Sequence, residues 1–110
     1  MQKSKPLVSC IITVGHNYNF LKDAILSLIN QNYKEIELII INDGNHKAVI
    51  DIINLIDSPK IYLFNCKKNG RGKSLNIAIN KSRGDLISIL DSDDLAHKNR
   101  IEIQVNYYLK

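Results

Sequence analysis

Apolar residues in this chain fall in short, nearly continuous runs, separated by stretches in which they recur every three or four positions. The runs at 7–14, 36–41, 61–65 and 86–90 are short and mostly rich in Ile, Val and Leu, and they predict buried strands. The intervening periodicity predicts helices over 20–31, 46–56, 73–82 and 95–109. In the first of these, Phe20, Leu21, Ala24, Ile25, Leu28 and Ile29 share one face. Turn residues break the pattern at 15–19 and at Asn42-Asp43-Gly44-Asn45. Ser58-Pro59 is placed to stop the second helix, and Gly84 to end the third. The unit strand–helix therefore occurs four times. Strands that read as continuous apolar runs are covered on both faces. This predicts an α/β protein, a three-layer α/β/α sandwich with a mainly parallel sheet. Ligands of such sheets bind beyond the carboxyl ends of the strands. Those ends carry 13–17, Asp43, the loop 67–73 and the acidic turn at Asp91, so four polar segments converge on one edge.

Composition changes this picture little. The chain has 110 residues, 45% hydrophobic and 24% charged, which suits one globular domain, residues 1–110. A formal charge of +4 suits phosphates, but no basic stripe with interleaved aromatics appears, which argues against a nucleic-acid partner. Cys10 and Cys66 lack metal-ligand spacing and read as buried, reduced thiols of a cytosolic protein. The opening residues 1–6 are polar and show no leader, and no apolar stretch is long enough to cross a bilayer.

The densest chemistry is Asp91-Ser92-Asp93-Asp94, directly after the fourth strand. Like charges this close repel unless a cation lies between them, and carboxylates are hard-oxygen ligands for Mg²⁺ or Mn²⁺. A helix N-cap explains one aspartate, and Asp94 before Leu95 fits that role, but a cap does not need three. Asp43 reads either as a turn residue or as a carboxylate accepting an N–H from a nucleobase. The segment Asn69-Gly70-Arg71-Gly72-Lys73-Ser74 has Lys67 where a P-loop needs its first glycine, so that signature fails. Its glycines, cations and following helix still suit an anion. His16, His46 and His97 lack zinc spacing, with His97 read as a surface residue. Tyr107-Tyr108 reads as packing.

Taken in order, VSCIIT, LKDAILSLINQNYKEIELIIINDGN and NGRGKSLNIAINKSRGDLISILDSDD resemble the family-2 inverting glycosyltransferases of the GT-A (nucleotide-diphospho-sugar transferase-like) fold, from Leu7 to about Leu109. The resemblance places Thr13 against the nucleoside and Asp43 where the family reads uracil. Arg71 and Lys73 fall in the segment that approaches the donor. Asp91 and Asp93 match the outer residues of the DXD motif, Asp91 toward the ribose and Asp93 on the metal, Mn²⁺ or Mg²⁺, that holds the diphosphate. It implies a UDP-sugar donor, a saccharide or lipid-linked saccharide acceptor and a role in polysaccharide biosynthesis. It also implies a cytoplasmic location, with the full-length protein peripheral to the inner face of the plasma membrane.

Three departures qualify the resemblance. Gly15 and His16 stand where the family has an aromatic residue and Asn, so base stacking there falls to His16 or Tyr18. Asn42 replaces the first of two acids. Family domains run to about twice this length, and their second half supplies the acceptor site and the general base. The chain is therefore expected to be an incomplete domain that binds donor without transferring sugar, with an uncovered fourth strand that promotes self-association. A sugar-1-phosphate nucleotidyltransferase is the alternative within this fold, but Thr13-Val14-Gly15-His16-Asn17 lacks its glycine-rich, basic loop. A non-catalytic nucleotide-binding module is the other alternative.

Overall fold

The computed structural model describes residues 5–110; residues 1–4, part of the polar opening segment, lie outside it. Strands and helices alternate: β1 (Val8–Val14), α1 (Leu21–Ile29), β2 (Ile36–Asp43), α2 (Lys47–Ile56), β3 (Ile61–Cys66), α3 (Arg71–Lys81), β4 (Leu86–Ile89) and α4 (Arg100–Tyr108). All strand pairs are parallel, in the order β3-β2-β1-β4. The chain winds outward from β1 to β3, then returns across β1 to lay down β4. That reversal opens a crevice at the carboxyl ends of β1 and β4, the usual ligand position in such sheets.

Period-2 alternation sorts the strand residues between two cores. Val8, Cys10, Ile12 and Val14 of β1 and Ile36, Leu38 and Ile40 of β2 face α1, α2 and α4, meeting Leu21, Ala24, Ile25, Leu28, Val49, Ile101 and Val105. Ile11, Ile39 and Ile41 face the other way, onto α3 through Ala78, Leu75 and Ile77. The sandwich is thus asymmetric: three helices cover one face and one covers the other. Because α3 packs on β2 and β1, β4 is uncovered on that side. Ile87 and Ile89 are 45% and 40% exposed there, so the apolar run 86–90 is not buried on both faces as expected.

A charged clasp closes the amino-terminal end of the sheet. The buried Glu37 carboxylate accepts from Ser9 Oγ (2.6 Å), Arg83 N (2.8 Å), Arg83 Nε (3.2 Å) and Arg83 Nη2 (3.1 Å). Ser9 Oγ in turn accepts from Gly84 N at 2.9 Å. Burial alone would push the Glu37 carboxyl up, but the Arg83 backbone N–H, the Ser9 hydroxyl and the Arg83 guanidinium together hold it below its ordinary value. Gly84 does not terminate α3 in a left-handed turn. The helix ends at Lys81 with an extended C-cap at Ser82, and Gly84 is small because it crosses the start of β1 at van der Waals contact.

Several boundaries differ from the sequence expectation for physical reasons. Residues 95–99 are not helical, and α4 begins at Arg100. Their backbone is satisfied by α1 and the residues after it instead: Ala96 N donates to Ser27 Oγ (2.9 Å), His97 O accepts from Gln31 Nε2 (2.7 Å), and Lys98 O accepts from Asn32 N (2.9 Å). Gln31 Oε1 then accepts Ile101 N (3.0 Å), supplying from a distant residue the cap that Asn99 does not. Asp94 therefore caps no helix. Phe20 precedes α1 and is 57% exposed rather than buried, and Asp57, in the left-handed conformation, ends α2 before Ser58-Pro59. Tyr107 and Tyr108, read as packing residues, are 74% and 57% exposed. No helix among the described residues is long and apolar enough to cross a membrane.

Candidate functional site

At the carboxyl edge of the sheet lies a cavity of about 370 Å³ lined by Thr13, Gly15, His16, Asn17, Asp43, Lys68, Arg71, Asp91, Ser92 and Asp93. Each comes from one of the four strand exits. Thr13 ends β1 on the α3 face. Asp43 ends β2 on the same face, two and four residues after the buried Ile41 and Ile39. Arg71 opens α3, and the aspartates follow β4.

Asp43 has a structural task as well as a place in the cavity wall. Its carboxylate accepts Asn69 N (2.8 Å) on one oxygen and Gly70 N (3.1 Å) on the other, and so ties the loop before α3 to β2. Gly70 holds φ of 89°, a left-handed conformation that a side chain would strain. Two of the backbone donors that the sequence offers to an outside anion are thus used by an internal one. A carboxylate has roughly four acceptor positions, so Asp43 keeps free lone pairs toward the cavity.

Asn42 explains one departure from the family pattern. It is fully buried. Its amide donates to His46 O (2.9 Å) and Asn65 Oδ1 (2.9 Å), and its carbonyl accepts His46 N (3.1 Å). An aspartate has no N–H to give and would leave both acceptors facing a buried charge.

On the opposite wall, Arg71 Nη2 meets Asp91 Oδ1 at 3.0 Å, both side chains more than half exposed. An exposed pair of this kind contributes roughly 0.2–1 kcal/mol, so it parts at little cost. Ser92 Oγ donates to Asn17 O (2.9 Å), and Asn17 Nδ2 stands 3.5 Å from Asp93 Oδ2, joining the acidic turn to the exit of β1. Asp91, Asp93 and Asp94 each offer one oxygen, all within 4.8 Å of one another and all exposed. This donor set fits a hard divalent cation, which favours carboxylate oxygen and open positions for phosphate.

Of the residues expected from sequence, Thr13, Asp43, Arg71, Asp91 and Asp93 come together. Lys73 does not line the cavity. The helix α3 begins at Arg71, two residues earlier than expected, and two residues along a helix point roughly 200° apart. Lys68 takes its place in the wall; the basic character of 67–73 pointed to the segment without selecting this residue. Asp94, released from the capping role, joins the carboxylate cluster. His16 lines the cavity, whereas Tyr18 packs into the core and against His46 with ring centres 5.5 Å apart. Of the two aromatic candidates, His16 and not Tyr18 therefore faces the cavity.

The sequence model of glycosyl transferase family 2 matches residues 9–110. An uncharacterised glycosyltransferase of Haemophilus influenzae is 42% identical over 108 residues, covering 96% of this chain and 43% of that protein. One of Rickettsia typhi is 42% identical over 101 residues, covering 92% of this chain and 31% of its own length. The chain therefore spans less than half the length of these relatives. In fold it is similar to a mannosyltransferase from Pyrobaculum calidifontis, solved with GDP-Man and Mn²⁺, at a TM-score of 0.82 and 16% identity, over 97% of this chain and 33% of that one. It is likewise similar to S. aureus TarS 1-349, solved with UDP-GlcNAc, at a TM-score of 0.81 and 19% identity, over 92% of this chain and 30% of that one.

Proposed function

The chain belongs to glycosyl transferase family 2, and from that premise we propose that its carboxyl-edge cavity binds a nucleoside-diphospho-sugar together with a divalent cation. The observation that carries this reading is the convergence of Thr13, Asp43, Arg71, Asp91 and Asp93 on one cavity with a three-carboxylate cluster at its rim. Asp43 and Thr13 face the nucleoside, with Asp43 accepting a base N–H on a lone pair left free by the loop; a uracil N–H is the favoured partner. Asp91 lies toward the ribose. Asp93, with Asp94 beside it, holds the cation, Mn²⁺ or Mg²⁺, whose charge when bound stabilises the departing nucleoside diphosphate. Arg71 exchanges Asp91 for a phosphate oxygen, a stronger charge-assisted bond, and Lys68 adds positive potential at the same wall. Within a longer chain, this site would serve inverting hexosyl transfer to a saccharide or lipid-linked acceptor in polysaccharide biosynthesis, at the cytoplasmic face of the membrane.

The carboxylates lining the cavity are all engaged in donor binding in this scheme, which leaves none to deprotonate an acceptor. The 110 residues are therefore a donor-binding unit without transferase turnover of their own. Titration calorimetry of UDP and GDP, with and without Mn²⁺, tests the reading on the wild type and Asp93→Ala. The expected result is Mn²⁺-dependent binding, tighter for UDP, weakened at least on the order of tenfold by the substitution. Binding indifferent to both Mn²⁺ and Asp93 overturns it.

A further inference from the structure

A second cavity, of about 320 Å³, lies on the far side of the acidic turn, lined by Phe20, Asp23, Asp93 and Leu95. Asp93 lines both cavities, so the two adjoin at the residue that holds the cation in the donor reading. The walls of the second cavity are unusual for a surface hollow. Phe20 occupies the N-cap position of α1, makes no side-chain capping bond and is 57% exposed. Polar residues favour that position because they satisfy free backbone N–H groups, and an exposed phenyl ring brings no such gain. Leu95 is 69% exposed, and it is held opposite α1 by the bonds that Ser27 and Gln31 make to Ala96 and His97. Asp23 sits in the first turn of α1 and makes no hydrogen bond or ion pair among the described residues.

A nucleoside-diphospho-sugar is a linear ligand: base, ribose, diphosphate, sugar. If base and ribose occupy the first cavity and the diphosphate sits at Asp93, the sugar ring extends past Asp93, where the second cavity begins. Its walls suit a pyranose. An aromatic and an aliphatic side chain offer apolar surface to the C–H groups of the ring, and a free carboxylate accepts hydrogen bonds from its hydroxyls. The volume lies at the lower end of the range of roughly 300–1,000 Å³ that small-molecule sites occupy. Asp23, which no cation among the described residues pairs, repels a ring that carries its own carboxylate. Resting on the donor reading, we propose that Phe20, Asp23 and Leu95 form the subsite for the donor's sugar ring, and that the subsite selects an uncharged pyranose over a uronate.

The test compares each sugar nucleotide with its own nucleoside diphosphate. Affinities of UDP, UDP-glucose, UDP-N-acetylglucosamine, UDP-glucuronate, GDP and GDP-mannose are measured in Mn²⁺ on the wild-type chain, Phe20→Ala, Leu95→Ala and Asp23→Asn. All three residues are exposed, and circular dichroism checks that the variants fold. Phe20→Ala and Asp23→Asn are expected to weaken the best-bound sugar nucleotide on the order of tenfold while leaving its nucleoside diphosphate within twofold of the wild type. UDP-glucuronate is expected to bind less tightly than UDP-glucose, and Asp23→Asn to narrow that gap. If a nucleoside diphosphate binds and the substitutions leave the sugar nucleotide unaffected, or weaken both ligands equally, the subsite is refuted while donor binding stands. If neither UDP nor GDP binds in Mn²⁺, the donor reading falls and takes the subsite with it.

Discussion

Placing a methyl group on Gly84 probes the close approach that seats β4 beside β1. A Cβ there would stand 2.5 Å from Ser9 Oγ, 2.7 Å from Ser9 N and 2.8 Å from Leu7 O, all shorter than side-chain carbons tolerate. Two of the three contacts are backbone, so no rotamer change relieves them. The segment must move away, which also breaks the Gly84 N to Ser9 Oγ bond and strains the bonds of Asp85 N (2.7 Å) and Leu86 N (3.3 Å) to Leu7 O. Overpacking costs about 1–3 kcal/mol, and a lost hydrogen bond about 1 kcal/mol. Gly84→Ala is therefore expected to destabilise by about 2–4 kcal/mol, a fall in Tm of roughly 10–25 °C for a domain of this size. Urea unfolding followed by circular dichroism measures it. Gly84→Asn separates this account from a left-handed helix cap. Asparagine is tolerated at such caps, whereas here its larger side chain should cost at least as much as alanine. Adding Ser9→Ala to Gly84→Ala should recover little, because the backbone clashes persist. A Gly84→Asn protein as stable as the wild type, or more stable than Gly84→Ala, refutes the close-approach account.

Three further outcomes follow from the same structure. The Glu37 carboxyl is held below its ordinary value, so its contribution is complete above the unfolded pKa and is lost as pH falls through the folded one; Glu37→Gln should cost about 1–3 kcal/mol at neutral pH, and that gap should close on acidification in urea titrations from pH 7 to 3. A gap independent of pH contradicts the clasp. Burial pushes the Cys10 thiol from 9.0 up to about 12, so the unfolded chain releases its proton first and stability falls as pH rises from about 9 toward 12, by roughly 1.4 kcal/mol per unit from this group; Cys10→Ala should show a correspondingly shallower alkaline loss, and an identical slope counts against it. The exposed Ile87 and Ile89 on the outermost strand should make copies associate, with light-scattering mass rising with concentration and Ile87→Lys suppressing the rise. A constant monomer mass for the wild type rules this out.

The parts of the fold that were legible in the sequence are those governed by local pattern. The runs around Ile11 and Ile39 announce strands because β-branched and aliphatic clusters of that length bury on both faces of a parallel sheet, whereas the run around Leu63 forms an edge strand that is only partly covered. The convergence of Thr13, Asp43, Arg71, Asp91 and Asp93 follows from strand direction alone, since parallel strands deliver all their exits to one edge. What escaped depends on partners far along the chain. Residues 95–99 carry a helical pattern, yet Ser27, Gln31 and Asn32 compete for their backbone groups, and no local signal shows that. Gly84 looks like a helix terminator until β1 is seen beside it. Lys73 misses the cavity wall because α3 starts two residues earlier than its pattern suggests, and Lys68 of the preceding loop lines the wall instead. Asn42 reads as a turn residue; only the positions of His46 and Asn65 explain why its amide cannot be an acid.

The lopsided layering of the sandwich also divides the cavity by rigidity. Asp43 hangs from a strand paired on both sides, β1 and β3, and packed above and below. Asp91 and Asp93 hang from a four-residue strand paired on one side, with one face toward solvent. Opening free energies follow such differences in burial and pairing. The wall at Asp43 is therefore preformed, while the acidic wall opens and closes more readily. For the donor proposed above, this sets a preferred order of entry. A base would meet a finished surface first, and Asp93 and Asp94 would hold a cation whose charge joins the looser wall to a diphosphate. Tightness of such binding would be limited by the work of stilling β4, and any added structure that pairs its free edge would raise affinity for that donor without touching it.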